Sequence, residues 1–307
     1  MLPLKYQRNL AFGFAVIAGL SGFAALVCAQ EGTSPPPLKV NRLADGVYWV
    51  QGGVGSHTGI LVGTDGVVLV DPKETPESAK GVLAEVAKLT PKPVTTVIVT
   101  HSNADHVRGL PGYPKGTNII AHANCAKDLD METHFVEEYP ELREHLPTHV
   151  VDKSTSLKLH GINIQLLHFA PAHTNGDLIV FLPDHKIAFD GGVIGTNVHL
   201  ENGGSTEGLI ESLKGIVALD FDTIVHGHRG PQTKAEVRKV LADTTAKREK
   251  IKQLFAEGKS LDEIEKAVGE TVKPRVAVSP LPPLRTFRPF RSMSFTEVVY
   301  TELSQQR

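Results

Sequence analysis

The segment Thr100-His101-Ser102-Asn103-Ala104-Asp105-His106 constrains this chain more than any other. It follows the apolar, β-branched run Val94-Thr95-Thr96-Val97-Ile98-Val99, which reads as a buried strand. Two imidazoles and a carboxylate are thus delivered together at a strand end. These are the ligand types that hold a catalytic divalent cation while leaving a coordination position open to water. A loop of this kind needs a rigid sheet edge to present it. Asn103 is the exception, a neutral amide set among residues of ligating type.

The surrounding pattern supplies such edges. Val47-Tyr48-Trp49-Val50, Gly59-Ile60-Leu61-Val62 and Val67-Val68-Leu69-Val70 read as short strands, punctuated by Gly52-Gly53 and Asp65-Gly66. Asp71 follows the last of them. Residues 76–89 carry Val82, Val86 and Leu89 at helical spacing. A strand is expected over 117–121 and a helix over 123–131. The second half repeats this order, with strands at 162–169, 178–182 and 186–189, a helix at 206–219, a strand at 223–225 and a long charged helix at 234–258. Ser260 and Glu263 form a capping box that opens a further helix. Strands, helix and strand, occurring twice, predict two similar α/β halves facing each other across one core.

Placement matters more than number for the 14 histidines. His173 lies in Ala170-Pro171-Ala172-His173-Thr174-Asn175-Gly176-Asp177, and His226 and His228 lie in Val225-His226-Gly227-His228-Arg229-Gly230. Both segments follow strands, as 101–106 does. A lone histidine such as His122, His145 or His185 reads as a surface or satisfied polar residue. Three strand-end loops converging on one edge read as a metal site.

The N-terminus has its own signature. Lys5 and Arg8 precede an uncharged apolar run from Leu10 to Val27, and Val27-Cys28-Ala29 offers small residues before Gln30. This is the layout of a secretory signal peptide over residues 1–29. An uncleaved anchor and a lipoprotein at Cys28 are the alternatives; Ala25-Leu26-Val27 matches the lipoprotein signal poorly. Residues 30–37, rich in proline, read as a linker, and 38–307 as one domain with a C-terminal helical extension. Cleavage leaves 30 basic and 34 acidic side chains, a net charge of −4, with Cys125 as the one cysteine. Neither an internal disulfide nor an electrostatic case for nucleic acid follows. The expected setting is periplasmic or extracellular, with no membrane attachment after cleavage and a small-molecule substrate as partner.

The ordered motifs resemble those of the metallo-β-lactamase superfamily: H-x-H-x-D-H, then G-H-T-x-G-D, then F-x-G-D, then a terminal G-H. Here they stand as 101–106, Ala172-His173-Thr174-Asn175-Gly176-Asp177, Phe189-Asp190-Gly191-Gly192 and Gly227-His228. Asp71 takes the place of the acidic residue that ends an early strand. The resemblance runs from about Leu43 to at least Val240. It implies an α/β fold, a four-layer αββα sandwich with the site at one edge of its two sheets. It also implies two metal sites, one using His101, position 103 and His173, the other Asp105, His106 and His228. The chain departs from the family twice, with Asn103 in place of a histidine and Gly192 in place of a bridging aspartate.

These departures predict asymmetry. Asp105, His106 and His228 form a complete catalytic zinc set. His101, Asn103 and His173 offer two imidazoles and a weaker amide donor, so zinc should be held tightly at the first group and weakly or not at all at the second. Manganese or iron are the alternative metals. Asp190, His57 and His226 are candidates to compensate or to contact substrate, and Asp177 to support His173 from behind. The resemblance implies hydrolysis by a metal-bound hydroxide, with Asp105 orienting the nucleophile and Asn103 available as an oxyanion donor. Export favours a lactam, a lactone or another ester or amide as substrate. The alternative is a degenerate member that binds a metal or ligand without turnover.

Overall fold

The computed structural model describes residues 35–131, 140–270 and 293–306. The expected export segment lies outside those residues. The strands form two sheets. In the first, β1 (Lys39–Ala44), β2 (Val47–Gln51), β3 (Thr58–Val62), β4 (Val67–Val70), β5 (Val94–Ile98), β6 (Asn118–His122) and β7 (His149–Val151) lie side by side in chain order. In the second the spatial order is β13 (Pro231–Thr233), β12 (Thr223–His226), β11 (Ile187–Gly191), β10 (Ile179–Leu182), β9 (Ile162–Leu167) and β8 (Thr155–Leu159).

The central strands are apolar on both faces because both faces are covered. Val68, Val70, Ile98 and Ile120 pack between the sheets against Val180, Leu182, Phe189 and Val225. Their neighbours Val67, Leu69, Val97 and Ile119 point outward, onto Val82 and Val86 of α1 (Pro76–Leu89) and Cys125 and Leu129 of α2 (Ala123–Met131). Outside the second sheet, Ile179, Phe181, Ala188 and Ile224 pack on Leu209, Leu213 and Ile216 of α3 (Thr206–Ala218). Val237 of α4 (Lys234–Ala256) and Val298 of α6 (Phe295–Gln305) complete that layer. The result is the four-layer αββα sandwich. Each wholly buried aliphatic side chain contributes about 1.5–3 kcal/mol, so the strand ends rest on a stiff base.

Local capping agrees with the sequence. Thr75 caps α1 by accepting from Ser78 N–H, with Pro76 in the first turn. Ser260 and Glu263 form the expected capping box at α5 (Leu261–Ala267). The free Cys125 is buried in the first outer core, which favours packing over chemistry.

Strand direction places the site. β4, β5 and β6 are mutually parallel, as are β11 and β12. Loops leaving the carboxyl ends of parallel strands share an edge. Asp71, the 101–106 loop, Gly191-Gly192 and the 226–228 loop all leave from such ends. Leu178 N–H donates to Thr100 O across 2.8 Å, joining the two sheets there.

Candidate metal centre

Asp71 is the hub beneath the site. Its backbone lies in the left-handed region, at φ 61°, a conformation that costs a non-glycine residue about 1–2 kcal/mol. The strained turn is held by its carboxylate, which accepts from Thr100 N–H and Thr100 Oγ1, each at 2.8 Å, and from His106 Nδ1 at 2.7 Å. Asp71 thus fixes the tautomer of His106 and leaves Nε2 as a lone pair. Burial pushes the His106 pKa down, and the carboxylates of Asp71, Asp105 and Asp190 together more than offset it, so the net shift is upward.

His106 Nε2 faces two other ligating atoms. His228 Nε2 lies 3.2 Å away and Asp105 Oδ2 3.6 Å away, and His228 and Asp105 are 2.9 Å apart. Zinc bonds near 2.0–2.1 Å in a tetrahedron separate nitrogen and oxygen ligands by about 3.3 Å. The three atoms are spaced as that geometry requires, so this donor set fits a divalent cation. Burial would raise the Asp105 pKa; the His228 hydrogen bond and the His106 and His228 charges hold it below the usual carboxylate range. His228 and Asp105 face the open side, whereas His106 is wholly buried.

The second group is arranged differently. Thr100 Oγ1 gives its proton to Asp71, so it accepts from His101 Nδ1 at 3.0 Å, leaving His101 Nε2 a buried lone pair without a hydrogen-bond partner. Burial, followed by the nearby His106, keeps His101 well below the usual histidine pKa. His173 Nδ1 donates to Asn197 O at 2.9 Å, so its Nε2 is the acceptor for Asn103 Nδ2, also at 2.9 Å. Burial and His199 push the His173 pKa down to about 3. The amide therefore occupies the lone pair that a cation at this position would use. A side chain at Gly192 would not restore a bridge in this arrangement, because a Cβ there would stand 2.7 Å from the His173 ring. The imidazole of His173 fills the space that the missing aspartate leaves.

The family model of the metallo-beta-lactamase superfamily matches residues 52–228, more than half of the chain and all the residues of the two groups just described. The chain belongs to the metallo-β-lactamase superfamily. A metallo-beta-lactamase type 2 from Bacillus cereus is 28% identical over 144 residues, 47% of this chain and 53% of that protein. A linear primary-alkylsulfatase from Pseudomonas sp. (strain ATCC 19151) is 23% identical over 226 residues, 59% of this chain and 43% of that protein. The fold matches the solved structure of a double mutant of the sec-alkyl sulfatase PisA1 at a TM-score of 0.64 and 16% identity, covering 88% of this chain and 50% of that one. The chain spans about half the length of these relatives.

Within this metallo-β-lactamase fold the remaining candidates lie outside the Asp105, His106 and His228 group. The Asp190 carboxylate accepts from Ile194 N–H at 2.7 Å, and its other oxygen is buried without a hydrogen-bond partner. Its strand has a register shift between Phe189 and Gly191. His226 Nδ1 accepts from His228 N–H at 2.9 Å and so shapes the turn that carries His228. His57 packs edge-on against Trp49 and bonds through Nδ1 to His226 O at 3.1 Å. Asp177 supports the His173 loop rather than its ring, accepting from Thr174 N–H and Oγ1. The group that holds the His173 ring is the Asn197 carbonyl, and every residue has a carbonyl, so no sequence signal marks it. His199, whose ring stands 4.7 Å from His173 and whose Nδ1 bonds Glu201, was also unmarked, although a polar pair two residues apart could have flagged it.

Proposed function

We propose that this chain is a metal-dependent hydrolase working with one tightly held cation at Asp105, His106 and His228. The observation that carries this reading is the convergence of those three ligand atoms within 4.8 Å of one another, with His106 already oriented by Asp71. When bound, a divalent cation acidifies a water at its open position and polarises the acceptor oxygen of the substrate. Asp71 holds the proton on His106 Nδ1 so that Nε2 stays free to ligate. Asp105, partly open to solvent, orients the attacking water. Asn103 spends one amide N–H on His173 Nε2 and keeps the other for a substrate oxygen that gains charge. The departure at residue 103 thus replaces a ligand with an oxyanion donor.

Zinc is the metal we favour, from the two imidazoles and one carboxylate. The signal-like pattern of residues 1–29 supports a reaction outside the cytoplasm. For substrate, the β-lactamase and alkylsulfatase relatives support a lactam or a sulfate ester, beside the lactones and other esters that export favours. Metal content of the purified chain, followed by turnover of a cephalosporin, a lactone, a phosphodiester and an alkyl sulfate with zinc, manganese or iron(II), tests the proposal. Stoichiometric metal at 105, 106 and 228 with no turnover of any of them would leave a binding protein instead.

A further inference from the structure

Lys73 is the largest side chain among the described residues that is wholly buried, at 0% exposure. Lysine is almost never fully buried, because its ammonium loses its water. Here its three N–H groups meet three backbone carbonyls of one turn: Ser56 O at 2.6 Å, Gly52 O at 2.9 Å and Val50 O at 3.3 Å. Both oxygens of nearby Asp71 are engaged by Thr100 and His106. Burial lowers the Lys73 pKa to about 8. The residue also sits at φ 75°, where a non-glycine backbone is strained. Two unfavourable terms are therefore tolerated to bring an ammonium to this point.

The turn that Lys73 grips reaches both ligand loops. Ser56 N–H donates to Asp105 O at 3.0 Å, and His57 N–H donates to Gly227 O at 2.6 Å. Gly55, at φ 92°, brings the backbone so close that a Cβ would lie 2.8 Å from Asp105 O. Successive amides thus tie the loop of Asp105 and His106 to the loop of His228. We propose that Lys73 is a positioning residue: its ammonium fixes the 50–56 turn, and the turn sets the spacing between Asp105 and His228. The effect on metal rests on the single-cation reading above.

The test uses the full chain with Lys73→Met, and Lys73→Gln as a milder variant that keeps an N–H donor should the first fail to fold. In metal-free protein, hydrogen exchange at the Ser56 and His57 amides should accelerate at least tenfold, while Leu69 and Val97 keep their protection. Zinc affinity, read by chelator competition, should fall at least tenfold, and the visible bands of the cobalt(II) form should shift. Unchanged exchange at Ser56 and His57, uniform loss of protection through the core, or unchanged zinc affinity would each overturn the assignment. A native chain that bound no zinc would remove the metal reading, and the metal-free exchange comparison would still decide whether Lys73 pins the turn.

Discussion

Asn103 Nδ2 donates to His173 Nε2 across 2.9 Å, joining residues from loops of opposite sheets. The bond satisfies a buried imidazole and at the same time withdraws it from metal binding. His101 Nε2 is left as a buried lone pair facing no donor.

Asn103→His should therefore recreate a second metal site. With three imidazoles available, a second zinc is expected to bind at least tenfold more weakly than the first, since Gly192 supplies no bridging carboxylate. Zinc titration with metal analysis reads this directly. Two equally tight ions in the unsubstituted chain would contradict the asymmetry from which the prediction starts.

Asp71→Asn should weaken zinc binding by roughly 10–100-fold, the usual effect of losing a partner that orients a metal-ligating histidine. The amide N–H would face the N–H of His106 or Thr100, so the tautomer that frees Nε2 is no longer favoured. The same substitution should lower the melting temperature of metal-free protein, because the strained backbone at φ 61° loses its anchor. Competition titration and thermal melting check the two effects separately.

Asp105→Ala removes one of the three converging ligands and leaves the two imidazole nitrogens, 3.2 Å apart, without their carboxylate. Turnover on whichever substrate the panel identifies should fall by roughly 10²–10⁴-fold. Unchanged turnover would refute the role assigned to Asp105.

Much of the fold was readable because the central strands must be apolar on both faces. Val67-Val68-Leu69-Val70 sends alternate residues into two different cores. The edge strands were harder. β8 is half polar and only partly buried, so its alternation is weak, and β7 has just three residues. At the site, residues that ligate by type could be found from their strand-end loops. Contacts made through backbone could not: Asn197 acts through its carbonyl, and Lys73 sits in the ordinary stretch Asp71-Pro72-Lys73-Glu74, its role set by a turn about twenty residues earlier. Whether Asp190 could compensate for Gly192 depended on how the strand end bends, and the register shift between Phe189 and Gly191 is not announced by any residue type.

Asp190 also gives a pH-dependent prediction. Burial raises its pKa from 3.8 to about 7, and the single hydrogen bond from Ile194 N–H offsets only part of that. A folded pKa above the unfolded value means that the native state binds the extra proton. The linked stability is fully present below about pH 4 and is lost as pH rises through about 7. A rise of that size corresponds to about 4 kcal/mol. Asp190→Asn imitates the protonated carboxyl at every pH, so it should match the native chain near pH 4 and exceed it by several kcal/mol at pH 8. Asp177, also raised to about 7 by burial, titrates in both proteins, and because its charge adds to the rise at Asp190 the difference reads the two acids together. Urea unfolding with a chelator present at pH 4.5, 6 and 8 measures that difference, and parallel pH profiles for the two proteins would show that Asp190 is not the buried acid inferred here.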